Sequence, residues 1–306
     1  MEKPAVAYVY PHSVQEAVEL LTTWSGAARI VAGGTDVLPD MRKKTIDPRC
    51  LVDITRIPGL DQISLAEDWI TIGAAVSFAA IKDSPLLNQR VHALVEAARS
   101  VGTVAIQNAA TWVGNIVQAM PAADGAIVAV ALEAEARIVD GVCSEWHPVA
   151  SLFCGPGVTR VDPTRQFVTH IRFPHPGGPW GTAWNRVGRR PSLVLPILNC
   201  AVKLSLDADC ARIGRATIAL GPVAPGPHRA RAAEIFLLGQ PPQPEVFARA
   251  TQLVQQEANP RDSIMRASRA YRLSIIPSMV CEALETAALR AQTGVQIDVT
   301  TLRSQK

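Results

Sequence analysis

Two short glycine-bearing segments constrain this chain more than any other feature: Ala32-Gly33-Gly34-Thr35-Asp36 and Asn108-Ala109-Ala110-Thr111-Trp112-Val113-Gly114-Asn115. Each offers small residues, backbone N–H groups and a hydroxyl. A turn of this composition binds phosphate, because glycine lets the backbone approach an anion with no Cβ in the way. Two such turns in one domain offer a place for each phosphate of a dinucleotide. Neither is a G-x-G-x-x-G fingerprint or a Walker P-loop, so a dinucleotide bound here lies in another fold.

The flanking residues set both turns between regular elements. Residues 13–24 read as an amphipathic helix, with Ser13 as N-cap and Glu16 three residues on, the capping-box pattern. Arg29-Ile30-Val31-Ala32 reads as a short buried strand running into the first turn. A helix or turn follows over 36–42, then a strand at Leu51-Val52-Asp53-Ile54. From residue 60 onward the pattern restarts. Trp69-Ile70-Thr71-Ile72-Gly73 alternates like a strand, 77–81 and 87–101 are predicted helices, and 124–132 is a buried helix. Ala136-Arg137-Ile138-Val139 is a strand, and the Pro/Gly-rich run Pro174-His175-Pro176-Gly177-Gly178-Pro179 is the main domain boundary. Beyond it, strands are predicted at 196–206 and 216–221, and helices at 230–238, 244–257 and 270–292. The 306-residue length suits two domains of roughly 100–200 residues each.

A 48% hydrophobic content supplies real cores, and the net charge of +3 is spread along the chain. The Lys and Arg residues are not massed with aromatics, which speaks against nucleic acid as a partner. The short run Met41-Arg42-Lys43-Lys44 reads as a solvated helix end. No apolar stretch resembles a secretory signal, and none approaches the roughly 18 residues of a membrane span. The expectation is a soluble, cytoplasmic chain. Cys50, Cys143, Cys154, Cys200, Cys210 and Cys281 show no C-x-x-C spacing and read as buried free thiols. The six histidines show no ligand spacing, and His147 and His175, each beside a proline, read as turn residues. No Ser/His/Asp or Cys/His set is visible, so neither a catalytic nucleophile nor a metal ligand is assigned.

Taken together the motifs resemble a known family. Ala32-Gly33-Gly34-Thr35-Asp36 resembles the A-G-G-[TH]-[DS] motif of the flavoprotein subunit of the molybdenum hydroxylases, the xanthine dehydrogenase and carbon monoxide dehydrogenase family. The second segment resembles that family's N-x-A-T-I-G-G-N, and Ile116-Val117-Gln118-Ala119-Met120-Pro121-Ala122-Ala123-Asp124 its continuation. Leu51-Val52-Asp53-Ile54, Ile171-Arg172-Phe173-Pro174, the run from Ile218 to Pro227 and Ala267-Ser268-Arg269-Ala270-Tyr271-Arg272 match further family motifs in order. The resemblance implies an α+β chain. Its FAD-binding domain would have two lobes of the vanillyl-alcohol-oxidase type (1–60 and 61–176). A C-terminal domain of antiparallel sheet and helices (180–290) and a polar tail (291–306) would follow. It implies FAD on this chain, the molybdopterin cofactor on a large partner subunit and two [2Fe–2S] clusters on a small one, assembled as a dimer of heterotrimers. Electrons would pass between the clusters and an external acceptor, and substrate chemistry would belong to the large partner.

The resemblance also assigns roles. Ala32, Gly33, Gly34, Thr35 and Asp36 would wrap the FAD pyrophosphate with N–H groups and the Thr35 hydroxyl. Because like charges repel, the Asp36 carboxylate would turn away and cap the next helix. Thr111, Val113, Gly114 and Asn115 would form the second loop. Val113 stands where the family has glycine, and a β-branched residue does not take φ > 0 cheaply. Either that position is extended or the loop is displaced. Gln118 would bond the ribityl or phosphate region, and Asp124 would accept from a ribose or ribityl hydroxyl or serve as a helix N-terminal charge. Met120 stands where Ser or Asp is usual and suggests a drier patch. Phe167 and Val168 would lie against a ring or in the core. Arg186, or its neighbours Asn185 or Arg189, would set a polar or cationic group beside the flavin, and Leu193 would shield its face. A stand-alone flavin oxidase and a flavin-free scaffold are the alternatives. The first needs a substrate cap with acid–base residues that the short C-terminal segment does not offer.

Overall fold

The computed structural model describes residues 5–190 and 194–294. Helices and mostly antiparallel sheets segregate along the chain, an α+β architecture. The first part consists of β1 (Ala7–Val9), α1 (Val14–Thr23), β2 (Ala28–Val31), α2 (Val37–Arg42) and β3 (Cys50–Asp53). Its strands form a small parallel sheet in the order β1-β3-β2. Ser13 caps α1 by accepting the Glu16 N–H. Ala17, Val18 and Leu21 form the helix's buried stripe. The basic run after α2 is exposed, as the sequence suggests.

The second part begins with β4 (Ile63–Ala66), β5 (Trp69–Gly73), α3 (Phe78–Asp83), α4 (Pro85–Arg90) and α5 (His92–Ser100). It continues through α6 (Val104–Ala109), α7 (Trp112–Val117), α8 (Asp124–Ala131), β6 (Glu135–Val139) and β7 (Ser144–Pro148), and closes with β8 (Phe153–Gly155), β9 (Val158–Thr159) and β10 (Phe167–Pro174). Five of these strands make an antiparallel sheet, β4-β5-β10-β6-β7, while β8 and β9 pair alone. The single helix expected over 87–101 is two helices, because Val91 leaves helical conformation (φ −136°, ψ 65°) while staying buried. Hydrophobic periodicity does not register a one-residue break between two apolar stripes. The edge strands β4 and β7 went unread because their residues are largely polar or exposed. His147 accordingly lies in β7, not in a turn.

The last part holds β11 (Trp180–Val187), β12 (Leu198–Leu206), β13 (Ile213–Gly221), β14 (His228–Arg229), α9 (Arg231–Leu237), α10 (Pro244–Glu257) and α11 (Arg269–Thr293). The antiparallel sheet runs β11-β12-β13-β14. Side chains alternate across it. On β12, Leu198, Cys200, Val202 and Leu204 face the core shared with α9–α11, while Ala201, with Ala219 of β13, joins the core of the preceding lobes. With both faces covered, β12 is buried almost throughout, although Asn199, Lys203 and Ser205 alternate with its apolar residues. Helix α11 lies directly on β11: a Cβ on Gly181 would come within 2.2 Å of the Ala287 carbonyl oxygen. The helix runs to Thr293, past the point where a tail is expected, and residues 295–306 lie outside the described residues. All six cysteines are free, but only Cys50 and Cys200 are buried, whereas Cys143 and Cys154 are exposed. The last two follow or occupy surface hairpins, where apolar character alone does not bury a thiol.

The boundary between the second part and the C-terminal sheet is charged as well as apolar. Glu96 of α5 accepts the Trp184 N–H (3.1 Å) and pairs with Arg290 of α11 at 2.6 Å. Arg290, 0% exposed, also donates to the Thr182 carbonyl at 2.6 Å. Glu133, just past α8, pairs with Arg215 (2.6 Å) and Arg229 (3.5 Å), and these cations hold its carboxyl below the usual range against the opposing effect of burial. Lys203 lies buried in the same seam, its Nζ 3.5 Å from the Pro174 carbonyl and 5.7 Å from the Trp180 ring centre. Burial pushes its ammonium down to about 8 from 10.5, with Glu133 partly offsetting the loss.

This buried lysine gives a pH test. The unfolded chain holds the proton to pH 10.5 and the fold releases it near 8, so stability rises with pH between those values and the full penalty persists below 8. In Lys203→Met the dependence is gone. Its stability advantage over the parent chain, measured by urea unfolding, should shrink by about 3 kcal/mol as pH rises through this window.

Candidate functional site

The two glycine-bearing segments meet. The first leaves the C-terminal end of β2, and the second links α6 to α7. A Cβ on Gly33 would lie 1.9 Å from the Ala109 carbonyl oxygen and 3.0 Å from the Ala110 Cα, so the loops touch backbone to backbone at a place where only glycine fits. Gly33 thus has a role beside the one expected of its N–H: its missing side chain makes room for the other loop. Gly34 takes a left-handed conformation (φ +67°), with the Leu38 side chain beneath it. Across this turn the N–H groups of Gly33, Gly34, Thr35 and Asp36 find no acceptor among the described residues. Successive N–H groups left free in this way form an anion-binding concavity. Asp36 precedes α2 but its side chain makes no capping hydrogen bond, which corrects the expected cap. Its φ and ψ (−109°, −47°) are already near-helical, whereas a capping residue is normally extended.

The second loop is ordered by its own hydroxyl. Thr111, buried and extended, caps α7 by accepting the Gly114 N–H at 3.1 Å. It is also bridged to Ser77, while Phe78 N–H donates to the Ala110 carbonyl and Trp112 N–H to the Val76 carbonyl. Val113 is the second residue of α7, helical and 4% exposed. Neither expected outcome, an extended residue or a displaced loop, describes it, because the first turn of a helix places no φ > 0 demand on valine. Its N–H is one of those a helix cannot satisfy internally. Trp112 is fully buried, edge-on to Phe173 at 6.0 Å, and its Nε1–H donates to the Gly125 carbonyl at 2.9 Å. The indole fits because residue 125 has no side chain: a Cβ there would stand 2.8 Å from Trp112 Cδ1 and 2.6 Å from Asn115 Oδ1. That Asn115 oxygen is buried with no donor among the described residues.

Farther along, Gln118 ends α7 and is half-buried, Ala119 takes φ +53°, and Met120 is exposed. Asp124 opens α8, where a carboxylate suits the positive end of the helix. It is already engaged: Asn199 Nδ2 donates to Oδ1 at 2.5 Å, Ser100 Oγ to Oδ2 at 3.3 Å, and Arg186 Nε lies 3.6 Å from Oδ2. Burial raises the Asp124 pKa against the pull of Arg186, Asn199 and Ser100. Arg186 is therefore half of a buried pair rather than an isolated cation, and its Nη2 also donates to the Val194 carbonyl. Asn185 turns instead to α11, donating to Glu282 at 2.8 Å. Phe167 and Val168 lie in the core on β10, just before the irregularity at Thr169. Leu193 lies outside the described residues. Glu96, Asn199 and Arg290 carried no sequence assignment. Arg290 had a legible signal, since it continues the buried stripe Ile276, Val280, Ala283, Ala287 of α11.

Among the described residues no group of three or more His, Cys, Asp or Glu gathers to hold a metal ion. No helix is long and apolar enough to cross a membrane. What the geometry offers is a run of free N–H donors, a second helix start pinned against it and, on that second helix, an unpaired amide oxygen.

Comparison with known proteins identifies the family. Residues 4–176 match the family described as the FAD binding domain in molybdopterin dehydrogenase, and residues 184–287 match the CO dehydrogenase flavoprotein C-terminal domain. The chain is similar to the xanthine dehydrogenase FAD-binding subunit of Escherichia coli O157:H7, 28% identical over 93% of this chain and 96% of that one. It is similar to the nicotine 6-hydroxylase medium subunit of Paenarthrobacter nicotinovorans, 27% identical over 95% and 100% of the two chains. Among solved structures it superposes on carbon monoxide dehydrogenase from Hydrogenophaga pseudoflava lacking the Mo-pyranopterin moiety. The TM-score is 0.86, with 29% identity over 95% of this chain and 99% of that one.

Two substitutions test the loop geometry. Gly33→Ala drives a methyl into the Ala109 carbonyl and should weaken FAD uptake by about ten-fold or more, read by fluorescence titration. Val113→Gly removes a buried side chain and loosens the first turn of α7. It should cost about 2–4 kcal/mol in thermal or urea unfolding without tightening FAD binding.

Proposed function

The chain belongs to the FAD-binding subunits of the molybdopterin dehydrogenases, and we propose that it carries electrons between iron–sulfur clusters on a small partner subunit and an external acceptor. A large partner would hold the molybdopterin cofactor and the substrate pocket, and the whole would assemble as a dimer of heterotrimers in the cytoplasm. FAD supplies, when bound, a carrier able to exchange both one and two electrons. This chain's residues bind and orient it. The single observation that carries the reading is the row of four free N–H groups from Gly33 to Asp36 fixed against the second loop by the Gly33–Ala109 contact.

In this reading Gly33, Gly34, Thr35 and Asp36 hold the pyrophosphate from one side and the Val113 N–H from the other, while the N–H groups of Gly114 and Asn115 donate to Thr111 and hold that loop in shape. The Asn115 oxygen takes a hydroxyl of the cofactor as its missing donor. Gln118 bonds the ribityl region. Asp124, occupied by Asn199, Ser100 and Arg186, positions Arg186 and the 118–124 segment rather than accepting directly from the cofactor. Pairing with Asp124 also tempers the field Arg186 would exert on a flavin, since opposite charges at short range largely cancel at a distance. Trp112 and Val168 back the site from the core and keep water out of its floor.

Purification of this chain from its native host with whatever accompanies it tests the proposal. Flavin absorbance together with iron–sulfur absorbance, plus molybdenum by elemental analysis, is the expected result. A yellow chain free of metals would support a stand-alone oxidase, and a colourless chain within a molybdenum–iron complex would make it a scaffold.

A further inference from the structure

Away from the glycine loops, the end of β11 and the segment leading into α11 bring several arginines together around few acids. Arg189 Nη2 donates to the Arg266 carbonyl at 3.2 Å, which ties the two segments. The segment folds on itself through Ser263 N–H to the Ala267 carbonyl and Arg266 N–H to the Ser263 carbonyl. One turn into α11 lies Arg272, 2% exposed. Its Nη1 donates to the Pro222 carbonyl at 3.2 Å, and its buried Nε meets no acceptor among the described residues. Burial, then the nearby Arg266 and Arg261, pull its pKa below the usual guanidinium value, while Asp262 opposes them weakly. Asp262 is turned to the backbone, Oδ1 accepting the Arg269 N–H at 2.6 Å. Among the described residues no carboxylate forms an ion pair with Arg261, Arg266 or Arg272.

A buried guanidinium with one neutral acceptor and cationic neighbours is in an expensive state unless an anion joins it. Arginine forks match phosphate oxygens bidentately. The start of α11, 25 residues long, is already capped, Ser268 accepting the Tyr271 N–H and Asp262 the Arg269 N–H, so the guanidinium groups themselves offer the binding. We propose that Arg272, Arg266 and Arg261 form a second binding site, for a phosphate-bearing anion, distinct from the glycine-loop site. Arg272 is the buried anchor, and Arg261 and Arg266 close on the ligand from the surface. The site borders residues 118–124 through a short relay of contacts. Pro222 holds Arg272, and the adjoining Gly221 packs so closely that a Cβ would stand 2.4 Å from the Pro121 carbonyl oxygen. Free phosphate and the phosphates of a nucleotide present the same chemistry here.

The test is calorimetric titration of inorganic pyrophosphate into the full chain saturated with FAD, at low ionic strength, so that the glycine loops are already filled. A saturable isotherm of one pyrophosphate per chain is expected, and the double variant Arg261→Gln/Arg266→Gln should weaken it about ten-fold or more. Both residues lie outside the flavin contacts, so FAD content read from absorbance in the same samples should not change and reports separately on the flavin reading. ADP binding more tightly than pyrophosphate would identify a nucleotide as the source, and equal or weaker binding the free anion. An absent isotherm, or one unchanged in the double variant, would overturn the proposal.

Discussion

One backbone contact organises this molecule: Gly33 against the carbonyl of Ala109. It joins a loop that leaves a parallel sheet to a loop that starts a helix over an antiparallel one. A side chain at residue 33 would separate them by roughly the radius of a methyl group. With the contact made, the N–H groups from Gly33 to Asp36 find no acceptor among the described residues. Thr111 fixes the facing helix start by capping it. The departures from the family pattern at Trp112 and Val113 are absorbed below this surface. Trp112 fills space released by Gly125, and Val113 sits where a helix accepts any residue.

A second constraint lies in the seam between the FAD-binding lobes and the C-terminal sheet. Glu96 with Arg290, Asp124 with Arg186 and Asn199, and Glu133 with Arg215 and Arg229 all cross it. The first two are buried, and a buried ion pair recovers little net energy after desolvation, yet losing one partner leaves an uncompensated charge. Their effect is therefore directional: the seam closes well only where each charge meets its counterpart. This fixes Asp124, and the start of α8 with it, to the orientation of the C-terminal sheet. Arg186 illustrates the consequence, because a residue expected to act as a free cation is instead held by Asp124.

Much of the fold was legible in the sequence where local and global requirements coincide. Helix α1 starts at its Ser13 cap, β5 falls on the alternating Trp69–Gly73 run, and α10 matches its predicted bounds. Legibility failed at edges and breaks. The edge strands β4, four residues long and largely exposed, and β7, largely polar, are too short or too polar to announce themselves, and Val91 divides one apparent helix without disturbing its pattern. Cysteines failed for a related reason. Composition marks a thiol as apolar, but Cys143 and Cys154 lie at surface turns and strand edges.

The sequence alone determined the α+β order of elements and the two glycine segments, because helical and strand periodicities and turn chemistry are local properties of consecutive residues. Through the resemblance carried by its ordered motifs, it also pointed to FAD. Tertiary structure alone decided what each residue does there. Gly33 serves a neighbouring loop, Asp124 spends its carboxylate on Asn199, Ser100 and Arg186, and Arg272 lies buried beside other cations. These contacts join positions far apart in the chain: Ser100 and Asp124 are 24 residues apart, Asp124 and Asn199 are 75, and Glu96 and Arg290 in the same seam are 194. No local pattern encodes a distance that exists only after the sheets have packed.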